Sequence, residues 1–346
     1  MAMHDRRTCA VLGAGSWGTA LAMRLALNDH ETRLWGRSTA SLDVIQLSRE
    51  NSRYLPGIHL PDNLLVTGDL SFALDGVDAI VIAVPTSAFR DMLEATNRVL
   101  AGVRLPDIVW ATKGIERGSG HWLHEVVAQE MGPNAPCAIL SGPSFAREVA
   151  IGLPTAVTVA SDAAATGRKI AALFHAETFR VYTSSDVLGV ELGGAVKNVL
   201  AIATGISDGL GFGANARAAL ITRGLHEIMV LGEKLGARLG TLMGLSGMGD
   251  LVLTCTDDQS RNRRFGLALG RGQAADEASR EIGQAIEGRE TADVLMRIAD
   301  SVGVELPICQ QVHLILAEQR DPAAAVADLL RRSVKEENVW QPTGSS

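Results

Sequence analysis

Apolar residues change their spacing part-way along this chain. In the first half strands are predicted at 9–12, 32–35, 78–84, 107–112, 138–140, 155–160 and 178–182, of which 9–12 is a short apolar run and 78–84 a near-continuous run rich in valine and isoleucine. Runs that are apolar at successive rather than alternate positions mark strands covered by helices on both faces, the habit of a parallel sheet. A helix is predicted over 163–175, and the connection after Trp35, through Asn51-Ser52-Arg53-Tyr54-Leu55-Pro56-Gly57, reads as polar and turn-rich. Beyond Ser184-Ser185-Asp186 the strand signal stops, and alanine, leucine and glycine recur at helical period. Helices are predicted at 190–206, 215–235, 261–269, 291–302, 308–316 and 323–330. A glycine turn over 245–249 leads into a short helix to 256, and 284–288 reads as a loop entry. The pattern predicts an α/β domain with a mostly parallel sheet over 1–186, an all-α domain over 187–334 and a polar tail over 335–346.

The first strand ends in Gly13-Ala14-Gly15-Ser16-Trp17-Gly18, with a helical pattern after it and a second strand at the spacing of a βαβ unit. In a G-x-G-x-x-G so placed, the first glycine (Gly13) makes the turn, the second (Gly15) lets backbone approach a pyrophosphate, and the third (Gly18) lets helix and strand pack closely. The phosphates then sit at a helix N-terminus, where free N–H groups favour an anion. The N-terminal domain is therefore expected to be Rossmann-like and to bind a dinucleotide. The second strand ends in Gly36-Arg37-Ser38, without the carboxylate that accepts from the ribose 2′-hydroxyl of NAD. Arg37 suits a 2′-phosphate, so NADP(H) is the expected cofactor, with NAD(H) possible. Tyr54 either lies over the adenine or ribose or is a half-buried loop residue.

Ligands of open parallel sheets bind beyond the carboxyl ends of strands. Lys113 follows one such strand. Gly142-Pro143-Ser144 follows another, with small residues that permit close approach to a ligand. In the helical half, Val190, Gly194, Lys197 and Ala201 share a face, and a lysine among alanine and glycine needs a partner or a purpose. Asp250 and Thr254, four apart, share another face. Ser260 is placed to cap a helix whose first turn carries Arg261 and Asn262, donors suited to a phosphate. His226 is given no role.

Composition narrows the partners. The 346 residues suit two domains, and a net charge of −7 argues against nucleic acid or an anionic membrane, so an anionic ligand must meet a local cationic cluster. The four cysteines show no metal-ligand spacing, and a disulfide framework is not expected in a chain of this size, which fits a reducing cytoplasm and no metal. No signal segment is expected, since the residues before the first strand leave no room for an apolar stretch with a cleavage site. The most apolar stretch, 187–206, carries Glu191, Lys197 and Asn198 and is expected as a buried helix, not a membrane insertion. Small residues along the helices suggest tight packing and a possible homodimer.

These stretches together resemble bacterial NAD(P)-dependent glycerol-3-phosphate dehydrogenases over nearly the whole chain. The likeness is carried by 13–20, 51–57, Thr112-Lys113-Gly114-Ile115, 142–146, 191–198, Gly249-Asp250-Leu251 and Ser260-Arg261-Asn262. It implies that Lys197 is the proton acceptor. Lys113, Gly142, Ser144, Lys197, Asp250, Ser260, Arg261 and Asn262 would then hold glycerol 3-phosphate or dihydroxyacetone phosphate. Ser16, Trp17, Arg37, Tyr54, Lys113, Ala146, Arg261, Ala285 and Glu287 would line the cofactor. It also implies a role in supplying glycerol 3-phosphate for phospholipids. Two places depart from the family pattern: Asp258, where a small hydroxyl residue is common, and Gly288-Arg289-Glu290-Thr291, which replaces the usual apolar residue after the Glu-Gly pair.

Oxidising a secondary alcohol with a nicotinamide needs a hydride acceptor, which the cofactor supplies, and a proton acceptor, which the protein supplies. A lysine doing this near neutrality must sit well below its ordinary value of about 10.4, and burial with Lys113 nearby would put Lys197 there. Asp250, Thr254 and Asn198 are expected to orient it. A ketopantoate-type reductase shares the architecture and the lysine but does not need the Ser260-Arg261-Asn262 cluster. A non-enzymatic NADP-binding sensor would need neither.

Overall fold

A computed structural model of the protein describes residues 6–331. The first five residues and the expected polar tail lie outside the described residues. Eight strands form one sheet: β1 (Thr8–Leu12), β2 (Glu31–Trp35), β3 (Leu64–Thr67), β4 (Ala79–Ile82), β5 (Asp107–Trp110), β6 (Cys137–Ser141), β7 (Thr155–Ala160) and β8 (Phe179–Ser184). Their order is β3-β2-β1-β4-β5-β6-β7-β8. All neighbours are parallel except β6 and β7. Side chains alternate across it: Val11, Val81 and Val109 enter one buried layer, while Leu12, Ile80, Ile82, Ile108 and Trp110 enter the other. Because both faces are covered there, both sets are apolar, which is why β4 and its neighbour β1 read as unbroken runs. The strand order reverses between β1 and β4, and the crevice beyond their carboxyl ends is where such sheets bind ligands.

The connection after Trp35 is more ordered than its residue types suggest. It contains the helix Thr39–Ser48 and the edge strand β3, whose four residues are too few to establish a period. From Val187 onward the described residues form helices, gathered around a third core. At its centre lies the helix Val187–Gly209, three residues longer at each end than predicted and capped by Asp186, whose carboxylate accepts from Gly189 N at 2.9 Å. It is long and apolar enough to cross a membrane, but it is mostly buried within this core.

The helix Arg261–Gly270 lies directly on it. A Cβ on Gly205 would lie 2.2 Å from the Arg263 carbonyl oxygen, and one on Gly266 would lie 2.1 Å from that of Ile202. Gly209 and Gly270 make the same kind of contact one turn further on. The two backbones touch through four glycines spaced i, i+4 on each helix, so the tight packing suggested by these residues is spent inside the chain. This contact fixes the position of Arg261 and Asn262 relative to Lys197.

Candidate active site

The three glycines of the first turn each meet a different constraint. Gly13 has φ of 123°, and a Cβ there would lie 2.5 Å from the Ala83 carbonyl oxygen. A Cβ on Gly18 would lie 1.9 Å from the Gly13 oxygen, so helix and strand close on each other. A Cβ on Gly15, in contrast, would meet nothing within 4 Å. The helix Ser16–Leu27 starts there with no side-chain cap and no acidic residue in its first turn, and Trp17 Nε1 is buried with no hydrogen-bond partner. The open space at Gly15 and the uncapped N–H groups fit a dinucleotide phosphate. Asn51, which the sequence offers only as part of a loop, pins this turn: its Nδ2 donates to Ala14 O at 3.0 Å and to Thr19 Oγ1 at 2.9 Å.

Around this turn, Arg37 is exposed just past β2, and Ala146 begins a short helix, Ala146–Ala150, packed in the same core as Trp17. Tyr54 is partly buried, with the Arg53 guanidinium 5.2 Å from its ring centre.

Across the crevice, the two lysines meet on one carboxylate. Lys197 Nζ donates to Asp250 Oδ1 at 2.5 Å and to Thr254 Oγ1 at 3.0 Å. Lys113 Nζ donates to Asp250 Oδ2 at 2.7 Å and to Gly142 O at 3.2 Å. Thr254 in turn donates to Asp250 O at 2.6 Å, and Ser144 Oγ donates to Gly142 O at 2.9 Å. Lys113, Gly142 and Ser144 come from strand ends of the sheet; Lys197, Asp250 and Thr254 come from helices. Lys197 is 7% exposed and Asp250 1%. Burial brings the Lys197 amine down to about 8, with Lys113 adding to the fall and Asp250 opposing it. Burial works against the Asp250 carboxylate, but the two lysines outweigh it and hold it below the usual carboxylate range.

The glycine stretch before Asp250 is not a turn. Leu245–Gly249 is a π-helical segment running into the helix Asp250–Thr256, and a Cβ on Gly193 would lie 2.5 Å from Ser246 O. The segment therefore lies against the Lys197 helix one turn before the lysine.

Ser260 Oγ accepts from Arg263 N at 3.2 Å and caps the helix that Arg261 begins. Arg261 is partly buried, which lowers its guanidinium, while Glu287 opposes that fall and Tyr54 lies near enough to do the same. Asn262 Nδ2 donates to Asn198 Oδ1 at 3.0 Å, and its Oδ1 accepts from Gly288 N at 2.9 Å, leaving one amide hydrogen for a ligand. Asn198 Nδ2 donates to Gly194 O, so Asn198 is linked to Asn262 rather than to Asp250. The departure at Asp258 has a local use: its Oδ1 accepts from Arg263 Nε at 2.9 Å.

The loop expected over 284–288 is shorter than read. The helix Glu287–Ser301 begins at Glu287, four residues before the predicted start. Gly288 lies inside this helix, and a Cβ there would lie 2.6 Å from Asn198 O, so glycine meets a packing requirement that sequence alone reads as a turn. Ala285 is exposed just before it.

Comparison with known proteins settles the lineage of this arrangement. Residues 8–166 match the profile of the NAD-dependent glycerol-3-phosphate dehydrogenase N-terminus, and residues 186–327 match that of its C-terminus. The chain belongs to the NAD-dependent glycerol-3-phosphate dehydrogenase family. It is 58% identical over 328 residues to the glycerol-3-phosphate dehydrogenase (NAD(P)+) of Thioalkalivibrio sulfidiphilus, covering 95% of this chain and 98% of that one. It is 54% identical to the enzyme of the same name from Xanthomonas euvesicatoria pv. vesicatoria, over 95% and 96%. A crystal structure of glycerol-3-phosphate dehydrogenase from Coxiella burnetii superposes with a TM-score of 0.90 at 49% identity, covering 94% and 99%. A ketopantoate reductase from Ralstonia eutropha aligns at a TM-score of 0.59 and 17% identity, a likeness of fold alone.

Proposed function

We propose that this protein interconverts sn-glycerol 3-phosphate and dihydroxyacetone phosphate with NAD(P)(H), supplying glycerol 3-phosphate for phospholipid synthesis. The observation that carries the reading is the buried Lys197 amine, held by Asp250 and Thr254 at the crevice where the strand ends present Lys113. The nicotinamide, when bound, accepts or delivers the hydride. In oxidation, Lys197 in its neutral form takes the C2 hydroxyl proton. In reduction, protonated Lys197 polarises the ketone and donates to the developing alkoxide. Asp250 and Thr254 aim the amine, and Lys113, Gly142 and Ser144 face the substrate from the sheet half. Ser260, Arg261 and Asn262 hold the phosphate, whose binding energy places C2 for reaction.

Residues 1–186 would hold most of the cofactor and 187–334 would supply the proton-transfer lysine and the phosphate site, with some residues of each half serving the other ligand. Gly13, Gly15, Ser16, Trp17 and Gly18 would cradle the pyrophosphate. Arg37, Tyr54, Ala146, Lys113, Arg261, Ala285 and Glu287 would line the rest. Arg37, with no carboxylate at the end of β2, supports a preference for NADP(H) over NAD(H). Four free cysteines suit a reducing cytoplasm. The test is spectrophotometric: dihydroxyacetone phosphate should drive NADPH oxidation faster than NADH oxidation, and ketopantoate should drive neither. Turnover of ketopantoate in place of the phosphate would overturn the reading.

A further inference from the structure

One hydroxyl at the crevice has a partner that the proposed reaction does not explain. Thr86 follows Pro85 at the exit of β4 and opens a short 3-10 turn, Thr86–Ala88, with 7% of its surface exposed. Its Oγ1 donates to Glu287 Oε2 at 2.9 Å, a bond between the sheet half and the helical half across 201 residues of sequence. Room for it comes from the residue after Lys113: a Cβ on Gly114 would lie 2.4 Å from Thr86 Oγ1.

Burial lowers the Arg261 guanidinium and the charge of Glu287 opposes that fall, while Arg261 Nη1 donates to Gln284 Oε1, three residues before Glu287, at 3.2 Å. A glutamate at the start of a helix has several rotamers, and a fixed hydroxyl donor selects among them. Gly114 and Thr86 thus reach Glu287 at the start of a helix, and the same segment is bonded to the proposed phosphate site on both sides of Glu287: Gln284 accepts from Arg261, and Gly288 N donates to Asn262 Oδ1 at 2.9 Å. We infer that Thr86 is a positioning residue: it orients Glu287, and through Glu287 it fixes where Arg261 presents its N–H groups to the substrate phosphate. This rests on the reading above that Arg261 grips that phosphate.

Thr86→Val keeps the shape of the side chain and removes the hydroxyl, whereas Thr86→Ser keeps the hydroxyl. T86V should raise KM for dihydroxyacetone phosphate about tenfold with kcat changed less than about threefold, the size expected if misplacing Arg261 weakens one of its charge-assisted bonds to the phosphate. The ratio of kcat/KM for dihydroxyacetone phosphate to that for unphosphorylated dihydroxyacetone should fall by about the same factor. T86S should restore both. In an E287A background, T86V should add less than about twofold, since its partner is already gone. Gly114→Ala, which pushes the same hydroxyl aside from behind, should reproduce the phosphate-specific loss and guards against a folding defect peculiar to T86V.

An unchanged KM in T86V, an equal loss on both substrates, or full additivity with E287A would overturn the inference. R261A is measured alongside. If R261A loses the phosphorylated substrate selectively and T86V does not, only the role of Thr86 fails. If R261A shows no selectivity, the phosphate reading fails and the inference falls with it.

Discussion

Asp250 sets the chemistry of both lysines at once. Its two oxygens are taken by Lys197 at 2.5 Å and Lys113 at 2.7 Å, so neither amine has the carboxylate to itself. The amine at 197 is left near 8, where it can both take and return a proton close to neutrality. Reduction needs this lysine protonated, so kcat/KM for dihydroxyacetone phosphate should be level at low pH and fall as pH rises through about 8. Oxidation of glycerol 3-phosphate should rise through the same point. The neighbours pull this limb in opposite directions: removing the anion with Asp250→Asn should move it to lower pH, and removing the cation with Lys113→Met should move it higher. Shifts of the same sign in the two variants would show that another group titrates. Lys197→Ala should lower turnover by at least about a hundredfold while NADPH affinity, followed by fluorescence titration, changes less than about twofold.

At the scale of elements, glycine places the helices that carry these groups. The helix Arg261–Gly270 can hold Arg261 and Asn262 over the Lys197 helix only because Gly205, Gly209, Gly266 and Gly270 let the backbones touch. Gly266→Ala would put a methyl 2.1 Å from the Ile202 carbonyl oxygen, backbone that cannot swing aside. It should cost about 1–3 kcal/mol or more by overpacking, read as a lower urea midpoint at unchanged slope, and should raise KM for the phosphorylated substrate as the helix moves. A midpoint within error of wild type would mean that the helices part without cost. The same residues mark where the sequence is hard to read. Strands β1, β4 and β5 are legible because both faces of the sheet are buried, and the Ser260 cap because its side chain acts locally. The start of Glu287–Ser301 and the π-helical Leu245–Gly249 are misread as turns, since a glycine needed for a neighbour's backbone looks like one needed for its own φ. Four-residue β3 is too short to show a period, and in the Thr39–Ser48 helix Leu42 and Ile45 are buried while Val44 and Leu47 are exposed, so its apolar residues do not mark one face. The partnership of Thr86 with Glu287 joins residues far apart in sequence, and no local pattern encodes it.

The whole molecule is a sheet half and a helical half joined across a crevice by side-chain bonds. Its net charge of −7 gives an anionic ligand no general attraction, so affinity must come from the few cations gathered at the crevice. Two of the bonds there run from one half to the other: Lys113 to Asp250 and Thr86 to Glu287. A cofactor held by the glycine turn and a phosphate held by Arg261 would therefore each stabilise the same closed arrangement, and ligands that favour one arrangement favour each other. NADPH with glycerol 3-phosphate is a suitable pair for measurement, because both are in reduced form and no turnover can occur. Saturating glycerol 3-phosphate should tighten NADPH binding by about fivefold or more, and NADPH should tighten glycerol 3-phosphate by the same factor, as linkage requires. Calorimetric titrations in both orders measure the two factors independently. If both factors are near one, the halves bind their ligands separately, and the bonds between them do not couple the two ligands. If the coupling is present in the wild type and lost in T86V, the hydroxyl at the exit of β4 carries it.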